Sequence, residues 1–212
     1  MTTGNPVEMG SERKTRRGLK LFRCDGKGKI MDVTDPDPTP VLFDPGEEGV
    51  RTPRFAFNYT RYNAESFKSE CQHTHWVDTD TLRALAWDLQ TTRKGDKGEK
   101  GYTPVLDEFK GGPATAAGIT DLGDSGIISR RMTITFNDTL NIGPVYQVSF
   151  VVQEGRKGDK GQIVPVKDGK QFIKETMNIP VAVARKLGCR LMSYLTSKET
   201  AAIAAHYMPP NQ

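Results

Sequence analysis

The chain has 212 residues, of which 36% are hydrophobic, and its 30 Lys and Arg residues exceed its 26 Asp and Glu residues by a net charge of +4. This length suits one large domain or two small ones, and no apolar run approaches the ~18 residues that a membrane-spanning helix needs. The N-terminus lacks the apolar stretch of a secretory signal, and an odd number of widely spaced cysteines does not suit a disulfide framework. We therefore expect an intracellular protein, cytoplasmic or nucleoid-associated, that is not secreted and has no membrane partner.

The N-terminal charges fall into two blocks. Six cations and one anion lie between Glu12 and Arg23, whereas six acids and no base lie between Asp32 and Glu48. Residues 1–17 are polar and nearly devoid of aliphatic side chains, which predicts a disordered basic arm. This arm either contacts nucleic acid or is neutralised by the acidic loop, and the sequence leaves both alternatives open. The cations of the arm that would touch nucleic acid are Arg13, Lys14, Arg16 and Arg17.

Residues 18–92 are predicted to form a β-rich unit that ends in a helix. A DGKG turn at Asp25–Gly28 joins two short alternating runs, which predicts a hairpin. The helix is predicted at Asp80–Gln90, where Leu82, Leu85, Ala86 and Leu89 have the spacing of a core-facing stripe, with Asp78 or Thr79 as its cap. The strands are predicted at Leu19–Cys24, Lys29–Val33, Arg54–Tyr62 and Phe67–Trp76.

Residues 93–126 are predicted to be a basic, glycine-rich linker, and residues 127–208 a second unit of the same kind. Pro180 suits the first turn of a helix that runs to Leu195. Thr196 and Glu199 form a capping-box pattern, which predicts a separate last helix through about His206. The strands of this unit are predicted at Ile128–Phe136, Val145–Val152, Gln162–Val166 and Gln171–Ile179.

The two units are similar in layout. A shift of 102 residues places the stripe of the first helix on Ala184, Leu187, Gly188 and Leu191, and it places Phe67–Trp76 on Gly169–Asn178. The predicted fold class is therefore α+β, with antiparallel sheets in two similar β-rich units that each end in a helix.

The hexapeptide RKGDKG occurs twice, at Arg93–Gly98 and at Arg156–Gly161. Each copy carries three cations, one anion and two glycines, so neither copy suits a packed core. Two basic, glycine-hinged loops favour either contact with a polyanion or two solvated hairpin tips. For contact with nucleic acid, the predicted phosphate-binding residues are Arg93, Lys94, Lys97, Arg156, Lys157, Lys160 and Lys170.

The strand Arg54–Tyr62 is aromatic and basic. Its alternation places Phe55, Phe57, Tyr59 and Arg61 on one face and Arg54 and Tyr62 on the other. Exposed rings beside cations stack on bases, whereas a core strand would bury the same rings. The predicted nucleic-acid contacts from this strand are Arg54, Tyr59, Arg61 and Tyr62.

Cys71, His73 and His75 alternate along a predicted strand and share one face. All three are metal-ligand types, so they are a candidate metal site, and the alternative is a polar strand face. We predict neither a metal nor another cofactor. We also predict no catalytic residue, because the chain lacks the GxSxG, GxxxxGK[ST] and GxGxxG motifs.

Two units of antiparallel strands, each followed by a helix, resemble the layout of the PC4-like superfamily, which includes the Whirly and PUR-repeat single-strand binders. The similarity covers residues 19–195 and is carried by Phe67–Gln90 and Gln171–Leu195, together with the basic hairpins. In those families, curved sheets carry single-stranded nucleic acid across basic and aromatic side chains. The resemblance implies a non-enzymatic, oligomeric protein that binds single-stranded DNA or RNA.

The sequence leaves open two alternatives to the binding of single-stranded nucleic acid. One is a structural or assembly subunit, such as a virion component, whose arm and loops order on neighbouring subunits. The other is a metal-dependent enzyme built on Cys71, His73 and His75.

Overall fold

A computed structural model describes residues 18–39, 53–91, 103–115, 118–123, 126–138 and 140–207. The predicted α+β class is confirmed, because two antiparallel sheets of four and five strands are accompanied by two helices. The elements in chain order are β1 (Leu19–Gly26), β2 (Lys29–Asp35), β3 (Arg54–Tyr62), β4 (Ser69–Asp78), α1 (Thr79–Thr91), β5 (Thr103–Pro113), β6 (Ile127–Asn137), β7 (Val145–Lys157), β8 (Ile163–Pro165), β9 (Gln171–Pro180) and α2 (Val181–Tyr207).

Each unit is a four-stranded antiparallel meander that leads into a helix. In the first sheet the strand order is β1–β2–β3–β4, and in the second sheet β5, β6, β7 and β9 pair in the same way. The short strand β8 pairs only with the far end of β7, at Gly155–Lys157. Asp78 caps α1, because its carboxylate accepts the backbone N–H of Thr81 at 2.8 Å.

The two units correspond residue by residue where the strand meets the helix. β4 and β9 are offset by 102 residues at both ends. Their buried positions agree as well, since His73, His75 and Val77 correspond to Glu175, Met177 and Ile179. The shift of 102 residues that relates the two helix stripes in the sequence therefore also relates corresponding positions of the two units in the structure. All eight residues of the two stripes are buried.

One hydrophobic core serves both units, since buried side chains of both sheets and both helices form a single cluster. Each helix contacts both units, because α2 packs against β1 as well as β7 and β9, and α1 packs against β5 as well as β3 and β4. The ring of Tyr194 on α2 meets Phe55 of the first sheet edge-on at 6.3 Å. The hydroxyl of Tyr146 in the second sheet donates to the Leu89 carbonyl at the end of α1. Neither unit buries its own apolar face alone.

We expect Gly188→Ala to lower the free energy of unfolding by up to about 2 kcal/mol. An ideal Cβ on Gly188 would lie 2.7 Å from the Ala86 carbonyl oxygen and 3.0 Å from Leu89 Cβ, so the two helices would have to separate. Overpacking of this kind costs about 1–3 kcal/mol, which the higher helix propensity of Ala offsets by about 1 kcal/mol. Urea denaturation measures the change, with Gly112→Ala as the control because nothing lies within 4 Å of a Cβ there. Equal stability of the two variants would contradict the tight helix crossing.

Two sequence predictions about secondary structure are wrong. The predicted linker at residues 93–126 contains the 11-residue strand β5, which pairs with β6 along its length. The predicted break before a last helix is absent, because α2 continues through Thr196 to Tyr207. Its buried stripe continues from Leu191 and Leu195 to Ala202, so core contacts outweigh the local capping-box pattern. No helix within the described ranges combines the length and the apolar character needed to cross a membrane.

Candidate nucleic-acid interface

The second RKGDKG copy forms the tip of a β-hairpin, as the sequence predicts. Its strands are the end of β7 and the short β8, with Arg156 opposite Val164. The tip closes by a bond from the Gly158 N–H to the Gln162 carbonyl at 2.7 Å, and Gly161 takes a φ of +78°. Only glycine adopts that backbone region without strain, so this position fixes the turn. We call residues 155–165 the basic hairpin.

The basic hairpin folds back over the outer face of the second sheet, which is the face turned away from the main core. An ideal Cβ on Gly111 of β5 would lie 2.2 Å from Ile163 Cβ, and one on Gly155 would lie 2.9 Å from the backbone of Ser129. The two glycines therefore permit the close approach. Ser129 points to the outer face by strand alternation, yet it is only 2% exposed, because the hairpin covers it.

The outer face of the second sheet beside the basic hairpin, which we call the floor, is polar and carries one exposed aromatic ring. A cross-strand row runs from Phe109 through Arg131 and Val151 to Lys174. Phe109 is 46% exposed, and the Arg131 guanidinium lies 4.8 Å from its ring centroid. Arg131 also donates two hydrogen bonds to Asp107, at 2.8 and 2.7 Å, so its charge is already neutralised. The next row presents hydroxyl groups, with Ser149 and Thr176 in mutual contact at 3.2 Å.

Three exposed cations line the basic hairpin, and within the described ranges none of them has an acidic partner. These hairpin cations are Arg156, Lys157 and Lys160. Arg156 and Lys157 also line an open cleft of about 440 Å³ together with Glu154 and the backbone near Gly126. Lys170 differs from them, because its ammonium group donates to Asp121 at 2.6 Å. The hairpin cations are thus free to meet an anion, whereas Lys170 already has an exposed anionic partner.

Tyr59 is not available for stacking on a base, which corrects the prediction. It is 1% exposed, and its hydroxyl donates to Glu175 of β9 at 2.8 Å. Burial and this hydrogen bond to a carboxylate raise the pKa of the phenol well above its usual range. Phe55 and Phe57 are buried beside it, so this strand face belongs to the core. The sequence could not show this, because the second sheet that covers Tyr59 begins more than forty residues later.

Arg61 is also committed to a structural role. Its guanidinium pairs with Glu175 through Nη1 and with Glu70 through Nε at 3.2 Å. Arg54 and Tyr62 lie on the opposite face of β3, where Arg54 is exposed and Tyr62 half-buried. They stand at the two ends of the strand, so they do not form one site with each other.

Two predicted groups of cations lie outside the described residues. They are the arm residues Arg13, Lys14, Arg16 and Arg17, and the first hexapeptide with Arg93, Lys94 and Lys97.

The candidate metal ligands face the core. His73 and His75 are buried and Cys71 is half-buried, so this face does not meet solvent as a polar strand face would. His73 packs edge-on against Phe150 at 5.5 Å, and His75 Nε2 lies 3.3 Å from Glu108 Oε2. Burial, chiefly, and the neighbouring His75 and Arg130 lower the pKa of His73 to about 4. Within the described ranges, no three His, Cys, Asp or Glu side chains are arranged to hold a metal ion.

Sequence reasoning missed Phe109 and Phe67. Phe109 lies in the segment predicted as a linker, where Leu106 and Phe109 are separated by two acids and show no apolar/polar alternation, so the local pattern carries no strand signal. Phe67 was predicted at the start of a strand, but it lies in the turn before β4 and is 81% exposed.

The site as described can hold an extended polyanion, since unpaired cations flank a polar floor with an exposed ring. Comparison of the chain with protein-family models, with curated proteins and with solved structures gives no match. Function is therefore inferred from the geometry alone.

Proposed function

We propose that this chain is a non-enzymatic nucleic-acid-binding protein that prefers single strands and has the layout of the PC4-like superfamily. The observation that supports this most is the basic hairpin, whose three cations have no acidic partner among the described residues and which crosses the outer face of the second sheet. The resemblance to that superfamily rests on two units of antiparallel strands that each lead into a helix, and the chain has two such units.

The chemistry of the interface favours a flexible strand. Phosphates bind the hairpin cations without sequence preference, because the interaction is with charge and not with base edges. Phe109 offers a ring on which an unpaired base stacks, whereas the faces of bases in a duplex are already covered by their neighbours. Hydroxyl groups of Thr133, Ser149 and Thr176 supply the remaining hydrogen bonds along the floor.

Replacing Arg156, Lys157 and Lys160 with Ala should weaken binding and reduce its salt dependence. Three lost phosphate contacts on a single strand reduce the slope of log K against log salt by about 2. Fluorescence anisotropy with a labelled oligonucleotide of about 30 nucleotides, as single-stranded DNA, single-stranded RNA and duplex at several salt concentrations, measures affinity and slope together.

The control removes three exposed cations from α2, namely Arg185, Lys186 and Arg190, which lie on the helical side of the molecule. It makes the same change in net charge, so it separates a local contact from a general electrostatic effect. Unchanged affinity and slope in the hairpin variant would remove the hairpin from the interface. No binding of any nucleic acid by the unaltered protein at low salt would contradict the proposed function.

A second candidate is an assembly subunit, and one surface favours it. Trp87 on α1 is 62% exposed and borders a groove of about 490 Å³ with Ala84 and Met192. Ile203 and Tyr207 are two further exposed apolar side chains of α2, one helical turn apart and beyond the Arg83–Glu199 ion pair. The α1 side carries Asp80 and Asp88 and the α2 side carries exposed cations, so two copies of the chain packed α1 on α2 would pair opposite charges.

We expect Trp87→Asp to convert an oligomer of this chain to a monomer. A charged side chain at the centre of an apolar contact would be buried without a partner, which costs several kcal/mol. Light scattering without nucleic acid gives the mass of both proteins, and circular dichroism checks that the variant is folded. A single-chain mass for the unaltered protein would rule out the homo-oligomer.

A further inference from the structure

The open cleft at the base of the basic hairpin has the size and the lining of a small-ligand pocket. Its volume is about 440 Å³, and it is lined by the backbone of two glycines and by Leu122, Ile127, Glu154, Arg156 and Lys157. Pockets for small ligands measure about 300–1,000 Å³ and combine apolar walls with a few polar groups. This cleft has both, since two aliphatic side chains share it with one carboxylate and two cations.

The apolar wall of the cleft is held in place by its own contacts. Leu122 packs against the second hydrophobic cluster, which contains Ile128 and Val152. It also lies directly on Gly126, where an ideal Cβ would be only 2.3 Å from Leu122 Cβ. The carbonyl of Gly126 accepts the N–H of Ala114 at 2.8 Å, which ties this wall to the residue that follows β5. The wall therefore has a fixed shape for a ligand to meet.

Glu154 is the acceptor in the cleft. It lies opposite Ile128 in the pairing of β6 with β7, and therefore on the face of the second sheet turned away from Ser129 and the floor. Its Oε2 accepts the backbone N–H of Lys170 at 3.3 Å, which is a long hydrogen bond. Within the described ranges its carboxylate makes no other hydrogen bond and no ion pair, although two cations line the same cleft. The carboxylate is thus free to accept hydrogen bonds from a ligand.

The free carboxylate selects among the nucleobases. A carboxylate accepts from two adjacent N–H donors through its two oxygens. Guanine carries such a pair, at N1 and at the N2 amino group. Adenine and cytosine have a ring nitrogen lone pair beside their amino group, and thymine and uracil have a carbonyl on each side of their single N–H. Each of these four bases would therefore set a lone pair against the carboxylate.

We infer that the cleft binds a guanine base, with Glu154 accepting from its N1 and N2 donors and Arg156 and Lys157 contacting its phosphate. This inference rests on the proposed function, because the cations are those of the basic hairpin. The side chains of Leu122 and Ile127 supply apolar surface for the ring. A guanine within a bound strand and a free guanosine monophosphate present the same chemistry to these residues.

The test uses labelled thymidine strands of about 8 nucleotides that carry one central guanine, one central hypoxanthine, one central adenine or no substitution. We expect fluorescence anisotropy to show that the guanine strand binds about 10-fold more tightly than the unsubstituted strand. Hypoxanthine lacks the N2 amino group, so its strand should bind with intermediate affinity. Glu154→Gln should abolish these differences and leave the salt slope unchanged, because the phosphate contacts remain.

Asp168→Asn is the matched control. It also replaces a carboxylate with an amide, at an exposed position of a neighbouring turn that does not line the cleft. Asn tolerates the φ of +61° at this position, as Asp does. We expect this variant to keep the guanine preference, and circular dichroism checks that both variants are folded.

Competition with free nucleotides separates the two sources of the base. Displacement of the guanine strand by guanosine monophosphate at lower concentrations than by adenosine monophosphate would assign a free nucleotide to the cleft, whereas a preference confined to strands would assign a base within a strand. Equal binding of all four strands would overturn the inference and leave the proposed function standing. A guanine preference that survives in Glu154→Gln would overturn it as well. If the unaltered protein binds no single strand, both are wrong.

Discussion

Replacing Glu175 with Ala should lower the free energy of unfolding by about 3 kcal/mol. Glu175 is buried on β9, and its carboxylate accepts the hydroxyl of Tyr59 at 2.8 Å and pairs with Arg61, both on β3. Lys29 on β2 adds a charge at 3.6 Å. One side chain of the second unit therefore satisfies three groups of the first.

The loss in the free energy of unfolding depends on which partner of Glu175 can be hydrated once the carboxylate is removed. The Tyr59 hydroxyl cannot, because its residue is almost fully buried, so it bears the full cost of an unsatisfied buried donor. The Arg61 side chain is 41% exposed and can be rehydrated, which places the expected loss at the lower end of the range for broken buried pairs.

Urea denaturation of Glu175→Ala, Glu175→Gln and the exposed-site control Asp159→Ala separates these contributions. Gln keeps an acceptor for Tyr59 but removes the charge, so its loss should be intermediate. A double-mutant cycle with Tyr59→Phe gives the coupling between the two side chains. If Glu175→Ala unfolds at the same urea concentration as Asp159→Ala, the carboxylate does not join the units.

Acid should destabilise the protein through His73. The pKa of this buried imidazole is lowered to about 4 by burial first, and then by His75 and Arg130. Above pH 6.5 neither the native nor the unfolded state binds a proton at His73, so its contribution to stability is complete. As the pH falls from 6.5 to 4, the unfolded state gains a proton that the native state cannot bind. The free energy of unfolding should then fall by about 3 kcal/mol.

Unfolding measured between pH 7 and pH 4 on the unaltered protein and on His73→Leu isolates this contribution, because the other titrating groups are common to both. The exposed His206 provides the control, and His206→Leu should follow the unaltered protein throughout. A His73→Leu curve parallel to that of the unaltered protein would mean that His73 is protonated in the native state.

The amino-acid pattern predicts the elements whose apolar spacing is regular. β3 and the buried stripes of the two helices were predicted correctly. Apolar residues at every second position of a strand, or at helical spacing, identify the buried face directly. β5 was missed because Pro104, Gly111 and Gly112 are typical of loops, while its stability comes from pairing with β6. Gly111 also permits the hairpin to cross the sheet, a role that its neighbours in sequence do not indicate.

The residues of the candidate interface were predicted in part, because local charge is visible in the sequence and long-range contacts are not. Arg156, Lys157 and Lys160 were predicted from local charge and glycine content, and the structure places them together on an exposed hairpin. Tyr59 was predicted wrongly because its partner Glu175 is more than a hundred residues away in sequence, and the same separation hides the ion pair of Arg61 with Glu175. A pattern on one strand identifies its two faces but not which face another sheet will cover.

The contact of α2 with the first sheet has a consequence for how the chain folds during synthesis. The first sheet does not complete its buried contacts until α2, the last described element, has left the ribosome. Lys198 of α2 binds Asp35 of β2 across 163 positions of the chain, at 2.6 Å. Contacts this distant in sequence form slowly, and the apolar strands of the N-terminal half stay exposed to aggregation in the meantime. Deleting α2 should therefore make the first half of the protein insoluble as well as the second.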